Sequence, residues 1–139
     1  MRKNILIIAL ILLPLCLYAN EPNIIRSYGL MSVNSSMGPQ GPPNLATYIE
    51  FYDNYIMWGS YEKYQYSHTN YDGSIVYVPT FNTPPLLHIE NVIFSRDYSQ
   101  MVQNQSSSAM GMTMYIQYCY SFIGNGRQPA SDWMSGKFG

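Results

Sequence analysis

Beyond residue 20, apolar and polar positions alternate with a period of two through much of this chain, and nowhere there is a 3.6-residue apolar period sustained. Period two is the signature of strands with one buried face. The longest such run is 110–123, where Met112, Met114, Ile116, Tyr118, Tyr120 and Phe122 alternate with Thr113, Tyr115, Gln117, Cys119 and Ser121. This predicts a central strand, with its methionines as core filler and Cys119 as a small buried hydrophobe.

Residues 47–66 carry two turn signals, Asp53-Asn54 and Gly59-Ser60. Each suits a two-residue hairpin, since Asn and Gly tolerate positive φ. If both form, Ile49 faces Trp58, Phe51 faces Ile56, Tyr52 faces Tyr55, and across the second turn Trp58 faces Tyr61 and Tyr55 faces Tyr64. One face then carries Ile49, Phe51, Ile56 and Trp58 as core. The other carries Tyr48, Glu50, Tyr52, Tyr55, Met57, Glu62, Tyr64 and Tyr66, a wetter surface of tyrosines with two carboxylates.

Elsewhere, Asp72-Gly73 predicts a turn into a strand over 74–78 that Pro79 ends. Residues 86–94 form another strand, with His88 and Glu90 on one side and Leu87, Ile89 and Ile93 on the other. Residues 96–102 add a short edge, and 103–109 form a flexible, Ser-rich loop. A short strand over 24–33 precedes Gly38-Pro39-Gln40-Gly41-Pro42-Pro43, which imposes extended backbone; two Gly-x-y triplets are too few for a triple helix. The expectation is an all-β fold: a small antiparallel meander forming a sandwich or partly open barrel after an N-terminal signal helix.

That signal is the unbroken apolar run Ile5 to Leu17 behind Arg2 and Lys3, with Ala19 as the small residue before a cut. Its 13 residues fall short of the ~20 that span a bilayer, so cleavage near Ala19 and export to the envelope or medium are expected. The membrane then serves only before cleavage. A lipidated Cys16 is the alternative, with Pro14 and Leu15 setting bulk where small residues belong. The expected organisation is a signal peptide at 1–19, an irregular lead-in at 20–44 and one β domain at 45–139 with an irregular C-terminal tail.

Composition narrows the function classes. Beyond residue 19 five cations stand against eight carboxylates, a net of minus three, which argues against nucleic acid and anionic lipid surfaces. Cys119 is then the one cysteine left, so no intramolecular disulfide or multi-cysteine zinc site forms. His68, in a polar loop, and His88, on a strand, lack metal-ligand spacing, and no nucleophile elbow is present, so no metal, cofactor or catalytic residue is expected. Glu50 and Glu62 on a flat sheet read as solvated residues rather than as a glycosidase pair.

What is distinctive is 13 tyrosines beyond Tyr18, with little charge. Tyrosine rings expose flat apolar area with a hydroxyl at the edge and lose little entropy when held. The expectation is a noncatalytic exported binding module that takes a glycan or a peptide on Tyr48, Tyr52, Tyr55, Tyr64 and Tyr66. A structural or assembly protein pairing through an open sheet edge is the alternative, and an enzyme of unrecognised type a third.

Overall fold

The computed structural model describes residues 21–36, 38–40, 45–59, 61–84 and 87–128. The signal segment expected over 1–19, and the tail beyond 128, lie outside the described residues. Nine strands follow in order: β1 (Ile24–Ser35), β2 (Gly38–Gln40), β3 (Ala46–Phe51), β4 (Tyr55–Trp58), β5 (Glu62–Thr69), β6 (Ile75–Pro79), β7 (His88–Phe94), β8 (Gln100–Ala109) and β9 (Met112–Asn125). From β3 to β9 each strand pairs antiparallel with the next, and β9 pairs back onto β1. The fold is thus an eight-stranded up-and-down barrel, with β2 a short ninth strand beside the far half of β1.

The antiparallel meander was legible in the sequence; closure replaces the sandwich or partly open barrel. The strand that closes the barrel is β1, which contains the short strand expected over 24–33 and extends it to Ser35, within the segment otherwise expected to be an irregular lead-in. It pairs over 24–29 with β3 and over 26–35 with β9, so both its edges are used. Two register shifts on the β1–β9 ladder, between Ser27 and Tyr28 and between Leu30 and Ser32, supply the local bend that closure needs.

Two further expectations change. The polar loop expected over 103–109 belongs to β8, paired residue for residue with β9 as far as Ala109↔Met112. Met110 and Gly111 form the connection, both at positive φ (54° and 74°), as a two-residue turn matching strand twist requires. Met110 and Met112 consequently stand in solvent rather than in the core, where Met101 is the fully buried methionine. On β7, a register shift between Ile89 and Asn91 inverts the alternation, so that Ile89, Val92 and Phe94 are buried instead of Ile93.

The first hairpin has the expected register: Ile49↔Trp58, Glu50↔Met57, Phe51↔Ile56. The second is slipped by one residue. Trp58 pairs with Glu62 and Ile56 with Tyr64, leaving three residues rather than two in the connection. A one-residue slip exchanges the two faces of a strand, so Glu62 and Tyr64 move to the barrel interior.

The interior is unequal along its length. At one end Phe94 lies 5.8, 5.2, 5.7 and 5.6 Å from the ring centroids of Tyr28, Phe51, Tyr77 and Tyr98. The Arg26 guanidinium caps this plug, 5.1 Å from Phe51 and 4.9 Å from Tyr98. Toward the other end the filling includes polar groups: Glu62, Tyr64, Gln103 and Gln105. The wall is also lopsided, with four residues in β4 and 14 in β9.

Candidate functional site

The five tyrosines expected to form one face are divided by the β5 slip. Tyr48, Tyr52 and Tyr55 lie on the outer wall. Tyr64 is 0% exposed inside, and Tyr66, on the same side of β5, packs edge-on against Tyr77 at 6.0 Å. The outer three are already engaged. Tyr52 and Tyr55 stack on each other at 4.4 Å and 6°, with the Lys63 ammonium 4.3 Å from the Tyr55 centroid. Arg127 lies 4.8 Å over Tyr48 and 3.9 Å from the Glu50 carboxylate. Tyr52 donates its hydroxyl proton to Glu50 at 3.3 Å. Partial burial, then the Glu50 charge, raise the Tyr52 hydroxyl pKa.

The same slip sets Glu50 and Glu62 on opposite sides of the wall, so they do not share one solvated face. His68 belongs to β5 rather than to a loop and bonds Ser67 at 2.9 Å; His88 opens β7 and bonds Thr83 at 2.6 Å. Among the described residues no three His, Cys, Asp or Glu side chains converge as for a metal ion. Cys119, expected as a core residue, is half-buried on the outer wall, its sulfur 3.6 Å from the Gln117 side-chain oxygen Oε1 and 3.7 Å from the Asn34 side-chain nitrogen Nδ2.

That thiol ends a row of amides running across the tall wall. Asn104 donates to Asn91 at 2.8 Å, and Gln117 donates to Asn104 at 3.0 Å. The register makes the row: Asn91 is opposite Asn104, Asn104 opposite Gln117, and Gln117 opposite Asn34, on four successive strands. Alternation on a pleated strand sends Asn104 outward between the inward Gln103 and Gln105. A groove of about 350 Å³ lies beside Asn104 and Gln117, lined also by Asn34, Glu90, Gln105, Tyr115 and Ile116. Tyr115 keeps 59% of its surface exposed. Each amide in the row retains a second N–H or a lone pair beyond the bonds it makes to its neighbours.

Inside the wall a second polar row runs toward the end away from Phe94. Gln105 donates to Gln103 at 2.6 Å, Gln103 to the Tyr64 hydroxyl at 3.1 Å, and Tyr64 to Glu62 at 3.3 Å. The side-chain oxygen of Gln105 is buried without a partner. Burial raises the Glu62 carboxyl pKa, partly offset by the Tyr64 hydrogen bond. The residues of both rows on β8 were missed in the sequence, because Gln-Asn-Gln-Ser-Ser-Ser has neither β propensity nor apolar alternation. The available signal was the Met110-Gly111 turn, which requires a partner for β9 of matching length upstream.

No protein-family model matches the chain, and neither the curated proteins nor the solved structures include one significantly similar to it.

Proposed function

We propose that this chain is a noncatalytic, exported binding module and that its ligand is a glycan held in the amide groove of the β7–β8–β9–β1 wall. The observation that carries the reading is the hydrogen-bonded row Asn91–Asn104–Gln117, of which Asn104 and Gln117 line a groove with an exposed tyrosine at its side. Sugars present closely spaced hydroxyls that both donate and accept. Side-chain amides fixed by their neighbours offer both functions in register, and an aromatic ring such as Tyr115 covers the apolar face of a pyranose. Glu90 at the rim and the absence of a lining cation among the described residues favour a neutral or amino sugar over an acidic one. The groove replaces the tyrosine face as the contact surface, since the faces of Tyr55 are taken by Tyr52 and Lys63.

The test is a glycan array, with a peptide array beside it, probed with the wild-type chain and with Asn104→Ala, Tyr115→Ala and Tyr52→Ala. The expected result is binding of a neutral oligosaccharide that weakens at least tenfold in the first two variants and persists in the third. Binding lost in Tyr52→Ala but kept in Asn104→Ala would return the site to the tyrosine pair, and peptide binding alone would reject the glycan. Export is tested by the N-terminus of the chain recovered outside the cell, expected at Asn20.

A second reading, assembly through strand edges, is favoured by the β8–β9 hairpin. It runs past its neighbours at Ser106 and Ile116, leaving the edges of its tip unpaired by β7 and β1. No charged residue occurs from 98 to 126, so the tip lacks the charges that normally guard an edge. Light scattering separates the readings: assembly predicts multimers that Thr113→Pro disperses.

A further inference from the structure

The β8–β9 hairpin turns through Met110-Gly111-Met112-Thr113-Met114, three methionines in five residues. Packing does not account for them. Met110 is fully exposed and Met112 is 76% exposed, while Met114 is half-buried. Turn chemistry does not account for them either, because Met110 sits at φ 54°, a conformation that Asn or Gly adopts at lower cost. On β9, an exposed strand position favours a β-branched or aromatic side chain over an unbranched one. A strained, solvated residue kept against local preference points to function. What methionine has that leucine, asparagine and valine lack is a thioether sulfur.

The register sets these sulfurs within reach of one another. Met112 and Met114, two apart on a strand, lie on the same face about 7 Å apart along its axis. Their cross-strand partners are Ala109 and Ser107, both small, which leaves the face around the two thioethers open. A cleft of about 330 Å³ lies there, lined by Met112 and Met114 with Ser36, Ser107, Ala109 and Thr113. Met110 is separated from this pair by a single glycine. Each methionine turns about three side-chain bonds, enough for its sulfur to meet an ion shared with the others.

The surroundings select the ion. Residues 98–126 contain no charged side chain and no histidine, so nothing on the hairpin neutralises a divalent cation. The hydroxyls of Ser36, Ser107 and Thr113 hold a hard cation poorly without carboxylates beside them. Thioethers are soft, neutral donors whose preferred partner is Cu(I). We propose that the tip of the β8–β9 hairpin is a binding site for Cu(I), held by the sulfurs of Met110, Met112 and Met114. The site depends neither on the glycan reading nor on export of the chain.

The test uses the full chain with Cys16→Ser and Cys119→Ser, so that no thiol competes for the metal, and with isotope-labelled methionine methyl groups. Ag(I), which shares the ligand preference of Cu(I) and is stable in air, is titrated in chloride-free buffer. The methyl resonances of Met110, Met112 and Met114 are expected to shift together and saturate at one ion per chain, while that of buried Met101 stays in place. Met110→Leu, Met112→Leu and Met114→Leu keep apolar bulk and remove the sulfur; each is expected to weaken Ag(I) at least tenfold. Anaerobic competition against a chromogenic Cu(I) chelator is expected to rank the variants alike, and Zn(II) to cause no shift. The site is overturned by the absence of a shift at millimolar Ag(I), by leucine variants that bind unchanged, or by Zn(II) binding as tightly. A shift confined to one methionine rejects the shared ion in favour of adventitious contact with a single thioether.

Discussion

Tyr64 pairs across the β4–β5 hairpin with Ile56, and this relationship places a hydroxyl inside a barrel otherwise filled largely by rings and aliphatic chains. The ring is fully buried. Its hydroxyl pKa is driven up chiefly by burial, then by the nearby Glu62 charge, so the phenol stays protonated and serves as the junction between Gln103 and Glu62. Tyr64→Phe removes this junction, leaving the Gln103 amide without its acceptor. The expected cost is about 1–3 kcal/mol, read from urea unfolding; the same change at exposed Tyr71 is expected to fall within about 0.5 kcal/mol of wild type.

Gln103 and Gln105, two residues apart on β8, are expected to respond unequally. Gln105→Leu abolishes the unpartnered oxygen but also leaves the Gln103 side-chain oxygen without its donor, so the two effects offset and the net loss is expected to be the smaller one. Gln103→Leu strands the donor of Gln105 and removes the bond to Tyr64, at about 1–3 kcal/mol. Equal losses at the two sites would contradict the directional row.

At the plugged end, Phe94 touches four other aromatic rings. Phe94→Ala opens a cavity that neighbouring strands of a closed barrel cannot collapse to fill. A loss of about 3–5 kcal/mol is expected in denaturant unfolding.

The Met110-Gly111 turn holds a bulky residue at φ 54°, a conformation that costs an ordinary L-residue about 1–2 kcal/mol. Asn tolerates it, and Asn-Gly is the preferred pair for this turn. Met110→Asn is expected to raise stability by about 1 kcal/mol without changing the strand content seen by circular dichroism. A fall in stability would mean that Met110 packs on something in solution.

Acid unfolding has one group with an assigned window. Asp97, in the β7–β8 turn, accepts hydrogen bonds from the Ser99 hydroxyl and N–H and from the Ser95 hydroxyl, which lower its carboxyl pKa to about 2. An unfolded Asp titrates near ~3.9. Its folded value being the lower, the carboxylate stabilises the fold fully above about pH 4 and progressively loses that contribution toward pH 2. Asp97→Ala is therefore expected to be less stable than wild type at pH 6 and to lose less on acidification from pH 4 to 2, as measured by urea midpoints.

What the amino-acid order determined by itself is the local part: period two, the Asp53-Asn54 hairpin with its register, and the inward face of Ile116, Tyr118 and Tyr120 on β9. These follow from side chains within a few residues of one another, where turn chemistry and alternation suffice. Tertiary structure decided the rest. The barrel closes through pairings such as Arg26↔Asn125, which no local pattern encodes. One extra residue after Trp58 reversed β5 and divided the expected tyrosine face, because a strand's sidedness changes with each residue of slip. And β8, polar enough to read as a loop, is held as a strand because β7 and β9 flank it, Tyr64 receives Gln103 from inside, and Asn91 and Gln117 receive Asn104 from outside. The amide groove rests on that strand, so its residues became visible only once the strand's partners were in place.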